Sequence, residues 1–133
     1  MLFENNKDKG RAGISFAIAY FGANGYTVNI PLNDTQWYDL IVEKDGIFQT
    51  VQCKATGTLD GRIDFRSCGG TIGEMYDFVR EHPIDLLFCL NKKQDMFLIP
   101  LKEIPSELKG IYLKTEPNKN GRGFETYKYL IKF

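Results

Sequence analysis

The sequence predicts an α/β domain with a central mixed β-sheet flanked by helices, the first of them at the N-terminus. Apolar residues recur at helical spacing in the segment Gly13–Gly22, which ends before an Asn-Gly stop signal. Several shorter runs rich in Val, Ile, Leu and Phe follow, separated by turn residues, as is typical of strands. With 133 residues and no internal repeat, the chain is predicted to be a single domain, 1–133.

The predicted elements follow the helix in a simple order. Asp45 and Gly46 form a tight turn between two of the strands, so the first three strands are predicted to make an antiparallel meander. Residues 126–133 fit either an edge strand or a short closing helix. The predicted strands are Tyr26–Ile30, Tyr38–Glu43, Ile47–Ala55, Gly61–Ser67, Ile84–Asn91 and Asp95–Leu101, and the further short helices are Glu74–His82 and Leu101–Leu108.

Composition excludes several classes of protein. Lys and Arg total 17, as do Asp and Glu, so net charge provides no general attraction to nucleic acid or membrane. The longest apolar stretch, Ile84–Leu90, is too short to cross a bilayer. The three cysteines lack the paired spacing of a zinc site, and the polar N-terminus lacks the apolar run of a signal peptide. We therefore expect a cytoplasmic protein with no membrane partner, whose cysteines are small core residues.

Three polar residues fall where the predicted meander brings strand ends together. Gln52 and Lys54 are two residues apart on one strand and therefore share a face, while Cys53 points away. Asp39 opens the preceding strand, and the tight turn places it beside that pair. A less specific interpretation remains open, in which Asp39 is a turn residue and the other two form the solvent face of the strand.

Such a trio suits metal-assisted hydrolysis of a phosphodiester bond. Mg²⁺ prefers hard oxygen ligands, which Asp39, the Gln52 amide oxygen and the Cys53 backbone carbonyl would supply. Lys54 would stabilise charge on the phosphate or help to lower the pKa of the attacking water. The predicted cofactor is therefore Mg²⁺ or Mn²⁺, with Asp39, Gln52 and Lys54 as the catalytic residues.

Asp39, followed by Gln52-Cys53-Lys54 at the end of a hairpin, resembles the PD-(D/E)XK nuclease motif in its variant with glutamine in the acidic position. The wider runs Lys9–Thr56 and Ile84–Leu101 look like a branch that includes cyanobacterial intron-encoded homing endonucleases and archaeal Holliday-junction-resolvase-like proteins. The resemblance implies a restriction-endonuclease-like core and Mg²⁺-dependent, site-specific cleavage of double-stranded DNA. It also implies a homodimer or a tetramer built as a dimer of dimers.

One position departs from that resemblance. The relatives carry a glutamate early in the first helix, and the matching residue here is Ile14. Because Gln52 is neutral, Asp39 is left as the charged ligand, so metal affinity is expected to fall and cleavage to be slow or absent, unless Glu4 reaches in. Two alternatives to a homing-type enzyme stay open: a structure-selective junction resolvase, and an impaired nuclease fold that binds DNA or a protein.

Contacts to DNA would come from local groups of basic residues. One group precedes the predicted first helix, a second lies in the loop-like tail, and a third lies on the predicted strand Gly61–Ser67, which as part of a ribbon could enter the major groove. A solvated surface remains the alternative for each. The predicted DNA-binding residues are Lys9 and Arg11, with Lys7 beside them, then Arg62 and Arg66, and Lys114, Lys119 and Arg122.

Overall fold

The computed structural model describes residues 4–33, 36–65 and 84–133 of the chain. Within these ranges an α-helix, α1, runs from Asn6 to Ala23. Single 3-10 turns occupy Leu101–Glu103 and Thr126–Tyr129. The strands are β1 Thr27–Asn29, β2 Leu40–Lys44, β3 Ile47–Ala55, β4 Arg62–Asp64, β5 Leu86–Leu90, β6 Met96–Pro100, β7 Gly110–Tyr112 and β8 Leu130–Ile131.

Six strands form one mixed sheet in the order β1-β2-β3-β5-β6-β8. Strands β1, β2 and β3 are an antiparallel meander, as predicted. Strand β3 then pairs in parallel with β5, which forms an antiparallel hairpin with β6. The predicted mixed sheet is confirmed, and β3 lies inside it, flanked by β2 and β5. Strands β4 and β7 make a separate two-stranded antiparallel sheet.

Helix α1 covers one face of the six-stranded sheet. Its buried residues Ala17 and Phe21 pack with Leu40, Val42 and Val51 of the meander. The helix begins seven residues before the predicted start at Gly13. The prediction missed this earlier start because the first turns are largely polar and carry no apolar periodicity. The helix is capped at its N-terminus by Asn5, whose side-chain oxygen accepts a hydrogen bond from the Asp8 N–H at 3.0 Å.

The opposite face of the sheet packs against the β4–β7 sheet. Ile63 of β4 and Ile111 of β7 join Leu87, Phe97 and Ile99 in a second core. Because β5 lies between the two cores, every residue from Leu86 to Leu90 is buried. A strand covered on both faces reads as a continuous apolar run, which is why its sequence does not alternate.

The remaining predictions have mixed outcomes. Strand Ile47–Ala55 is confirmed at both ends, whereas the predicted helix Leu101–Leu108 is wrong beyond one 3-10 turn, since Pro105 interrupts it. The tail contains both predicted alternatives, a 3-10 turn followed by the short strand β8. The predicted helix Glu74–His82 lies outside the described residues. No helix in the described ranges is long and apolar enough to cross a membrane.

Candidate active site

Asp39 lies one residue before β2 and is tied to β3 by two hydrogen bonds. Its backbone N–H donates to the Val51 carbonyl oxygen at 2.8 Å. Its carboxylate Oδ2 accepts the backbone N–H of Cys53 at 2.7 Å. The side chain thereby continues the hydrogen-bonding ladder past the end of β2, which fixes the position of the carboxylate against the strand that carries the rest of the motif.

The structure brings the three predicted side chains to one face of the sheet. Leu40 pairs with Val51, and both pack under α1, so Asp39, one position earlier, faces the other side. Gln52 and Lys54 alternate with Val51 and therefore share that other side. Two pairings across to β5 agree with this assignment, because Gln52 pairs with Leu87 and Lys54 with Cys89, both in the core opposite α1.

The electrostatics of Asp39 fit a site that receives a cation. Burial raises the pKa of its carboxyl group, and this effect is opposed by the hydrogen bond from Cys53 N–H and by the positive charge of Lys54. The raised pKa means that the charged carboxylate has lost more solvation than these two partners restore. A positive ion at this position would favour the charged form.

Gln52 carries the clearest sign of a missing partner. Its amide oxygen Oε1 is buried and has no hydrogen-bond partner among the described residues. Leaving a buried polar oxygen unpaired costs about 1–3 kcal/mol, so such atoms call for a specific explanation. This oxygen is shielded from water, which argues against the alternative in which Gln52 belongs to a solvent face.

The Cys53 backbone points toward the same site while its side chain points away. Its N–H donates to Asp39, and since the N–H and C=O of a strand residue point to the same neighbour, its carbonyl oxygen also faces Asp39. The Cys53 thiol packs with the core under α1. Burial raises the pKa of the Cys53 thiol and of the fully buried Cys89 thiol, so both remain unreactive core groups, as predicted.

These groups form a set of oxygen donors with one carboxylate. Across residues 4–33, 36–65 and 84–133, no group of three His, Cys, Asp or Glu side chains is placed to hold a metal ion. The donor set of Asp39, the Gln52 amide and the Cys53 carbonyl consists of oxygen atoms, whereas structural zinc sites are built mainly from Cys and His ligands. It fits Mg²⁺, which accepts few protein oxygens and keeps several waters.

Ile14 lies on the turn of α1 that contacts the end of β3. The neighbouring Gly13 is so close to that strand that a Cβ atom there would lie 3.5 Å from Ala55 Cβ and 3.7 Å from the Lys54 carbonyl oxygen. Ile14 itself is half-buried and, like Cys53 and Ala55, packs against the core under α1. Glu4 is exposed near the beginning of α1.

The basic residues divide into two locations. Lys9 and Arg11 lie on the first half of α1, and Arg11 is exposed there. The residues predicted from the tail and from β4 line one groove of about 740 Å³ beside the β4–β7 sheet, namely Arg62, Lys114, Lys119 and Arg122. Lys109 and Tyr112 also line this groove and were not predicted from sequence. Arg66 lies outside the described residues.

A mixed sheet with α1 on one face and a carboxylate, an amide and an ammonium group gathered on the other defines a nuclease-like α/β domain. Residues 4–129 match the model of the PD-(D/E)XK endonuclease family. The chain belongs to this family of nucleases, as its resemblance implied. Enzymes of the family generally use divalent metal ions.

Two of the solved structures that match this chain illustrate the shared fold. The bacterial homing endonuclease I-Ssp6803I superposes with a TM-score of 0.70 at 22% identity, covering 95% of this chain and 87% of that one. The Holliday junction resolvase Hjc of the archaeal hyperthermophile Archaeoglobus fulgidus gives a TM-score of 0.53 at 10% identity, covering 78% and 81%. Both likenesses concern the fold. No curated protein matches the chain.

Proposed function

We propose that this nuclease hydrolyses phosphodiester bonds in double-stranded DNA with the help of Mg²⁺ or Mn²⁺. The Asp39 carboxylate, Gln52 Oε1 and the Cys53 carbonyl oxygen would hold the ion. One observation carries the proposal: Gln52 buries an unpaired oxygen on the face that holds the desolvated carboxylate of Asp39. A hydrated divalent ion is a partner that would satisfy both groups.

Each residue of the trio has a distinct task in this proposal. The bound ion would supply Lewis-acid activation of the phosphate and of the attacking water. Asp39 is oriented by the N–H of Cys53, so its carboxylate is preorganised. Lys54 lies on the same face and would stabilise the negative charge that grows on the phosphate during attack. The water proton is released to solvent, and the leaving oxygen of the broken P–O bond takes up a proton.

Site-specific cleavage of the homing type is our preferred substrate assignment. It is supported by the glutamine in the acidic position of the motif and by the closer superposition with the homing endonuclease than with the resolvase. A single site cuts one strand, so we propose a homodimer or homotetramer. The proposed DNA contacts are Lys9, Arg11, Arg62, Arg66, Lys114, Lys119 and Arg122. A cytoplasmic location, with free Cys53 and Cys89, belongs to the same proposal.

Two other functions have a specific observation in their favour. Hjc is a junction resolvase with the same fold, which favours cleavage of four-way junctions recognised by shape. Ile14 and Gln52 are both uncharged, so Asp39 is the charged ligand left in the proposed set. This favours a nuclease fold that binds DNA or a protein partner without cutting.

Cleavage assays on plasmid DNA and on four-way junctions, with Mg²⁺ and with Mn²⁺, separate these functions. Cutting at one plasmid site supports the homing-type enzyme, and cutting of junctions alone supports the resolvase. Binding without cutting supports the non-enzymatic function. Asp39→Asn is the control for the site, since it preserves shape and removes the charged ligand; cleavage that survives this substitution would refute the proposed metal centre.

Ile14→Glu tests whether the altered helix position limits activity. Position 14 lies on the α1 side of the sheet, so a glutamate there would have to reach past the end of β3 to the site on the other face. If it supplies a second charged ligand in this way, metal affinity and cleavage rate are expected to rise. Ile14→Gln is the matched control, because it has the size of glutamate without its charge. An equal change in both variants would show that the effect comes from packing.

A further inference from the structure

The groove beside the β4–β7 sheet concentrates positive charge in a chain whose formal net charge is zero. Glu107 is the one acidic residue among the groove-lining residues that the structure describes. Five basic residues line the groove with it: Arg62, Lys109, Lys114, Lys119 and Arg122. Such a local excess attracts polyanions even though the whole molecule does not.

Tyr112 gathers two of these cations around one aromatic ring. The Arg62 guanidinium carbon lies 5.2 Å from the ring centroid, and the Lys114 ammonium nitrogen lies 6.0 Å from it. Arg62 Nη1 also donates to the Tyr112 hydroxyl at 3.1 Å. Tyr112 is 43% exposed, so both cations are held at the surface. Both cations therefore add positive charge to the groove beside one ring, and a bound anion would offset that charge.

Gly110 leaves the space in which the Arg62 side chain lies. A Cβ atom at position 110 would be 2.5 Å from the Ile63 carbonyl oxygen of the paired strand, 3.0 Å from Arg62 Nη2 and 3.1 Å from its guanidinium carbon. On its other side, Arg62 Nε lies 4.0 Å from the Asp64 carboxylate. The guanidinium is therefore confined between the ring, the carboxylate and the backbone of β7 before any ligand arrives.

The loop at the rim of the groove is also preorganised. The Asn118 side chain donates to the Arg122 carbonyl oxygen at 2.6 Å, and its backbone N–H donates to Glu125 Oε1 at 3.1 Å. The Arg122 N–H donates to Asn120 Oδ1 at 3.1 Å. These bonds hold the turn that presents the exposed side chains of Lys119 and Arg122, which reduces the entropy lost when a ligand binds.

We infer that Arg62, Tyr112 and Lys114 form a phosphate clamp that binds the DNA backbone away from the bond being cut. Arg62 and Lys114 would contact the phosphate oxygens, and Tyr112 and Gly110 are positioning residues. The inference rests on the proposed function for its ligand, since a nuclease needs contacts to DNA beyond the scissile phosphate. Lys and Arg contacts to phosphate carry no sequence information, so the clamp adds affinity uniformly to all duplexes.

Fluorescence anisotropy with short duplexes of two unrelated sequences tests the clamp, in EDTA so that no cleavage occurs. Lys114→Gln is expected to weaken both duplexes about 5- to 10-fold near 0.1 M salt and to lower the slope of log affinity against log salt by about 0.9. Lys114→Arg is expected to restore both values. Lys44→Gln is the matched control, because Lys44 also lies over a tyrosine ring, 5.0 Å from the Tyr26 centroid, but outside the groove.

Tyr112→Leu tests positioning without removing a charge, whereas an alanine at position 110 would also press on the Ile63 backbone oxygen. Tyr112→Leu is expected to release the Arg62 guanidinium and to lower affinity and salt slope as the loss of one phosphate contact would. If this variant does not fold, as judged by circular dichroism, Tyr112→Phe takes its place with the same expectation, because it removes the hydroxyl that accepts from Arg62. Salt slopes equal to wild type in both Lys114→Gln and the positioning variant would overturn the clamp, as would a wild-type protein that binds neither duplex.

Failure of the clamp and failure of the proposed nuclease function are distinguishable. Asp39→Asn is expected to bind duplex DNA as wild type does while losing cleavage. A wild-type protein that binds DNA with the predicted salt response but does not cut would support the clamp and contradict the enzyme. Cleavage by wild type together with unchanged binding in the clamp variants would support the enzyme and contradict the clamp.

Discussion

Replacing Gln52 by leucine is expected to stabilise the metal-free protein and to abolish its response to metal. The reason is the buried Oε1 atom, which is the one buried side-chain nitrogen or oxygen without a hydrogen-bond partner in the described part of the chain. Leucine has a similar size and no polar atom, and it would face the core residue Leu87 on β5. Gln52→Leu therefore removes the cost of the unpaired oxygen without opening a cavity.

The magnitude follows from that single atom. An unsatisfied buried acceptor costs about 1–3 kcal/mol, so the free energy of unfolding in EDTA is expected to rise by about that amount. For a domain of this size, each kcal/mol raises the melting temperature by about 4 °C, which gives an increase of about 4–12 °C. Wild type should gain about 2.7 kcal/mol from metal present at about 100 times its dissociation constant, which offsets most or all of the difference between the two proteins.

Thermal and urea unfolding of both proteins, in EDTA and in Mn²⁺, measure these values. Gln49→Leu is the matched control, since Gln49 lies on the same strand but is not one of the site residues, and its change is expected to stay within about 0.5 kcal/mol. Two results would refute the reasoning: a Gln52→Leu protein no more stable than wild type in EDTA, or equal stabilisation of both proteins by Mn²⁺.

Three further predictions concern the scaffold and are checked by urea unfolding. Gly61→Ala is expected to lower the free energy of unfolding by several kcal/mol, because Gly61 has φ +72° and a Cβ there would lie 2.6 Å from a backbone oxygen. Gly121→Ala is the comparison, since Gly121 has φ +64° but lies in open space, and it should cost about 1–2 kcal/mol. Phe21→Ala, at a fully buried ring, should cost about 3–5 kcal/mol, and Phe48→Ala, 67% exposed, less than about 0.5 kcal/mol. Asn5→Ala removes the cap of α1 and should cost about 1 kcal/mol. Equal losses within either pair, or an unchanged cap variant, would contradict the respective argument.

The candidate site was predictable from sequence because its parts are close along the chain. A two-residue turn joins β2 to β3, and the side-chain period of two then determines which residues share a face. Asp39, Gln52 and Lys54 follow from that local geometry, and the first two strands of the meander were predicted to within a few residues. The hairpin of β5 and β6 was found for the same reason.

Other features were not predictable because they depend on distant contacts. Arg62 and Tyr112 are separated by 50 residues, and Tyr112 lies on β7, a strand of three residues that the sequence pattern did not indicate. Strands this short have too few residues to show alternation, and they form because the second core covers them. Asn5, a favoured capping residue, marked the true start of α1 in the sequence. Apolar periodicity could not reveal that start, because the first turns are polar.

The sequence by itself indicated the family through its motif, and it predicted the order of the main elements and three residues that share one face, because turn chemistry and alternation act over a few residues. Tertiary structure decided which polar atoms are left without water or partners and which cations meet in one groove. Burial of Gln52 Oε1 and the gathering of Arg62 and Lys114 around Tyr112 depend on how separate strands pack, and packing brings together residues that no local pattern connects.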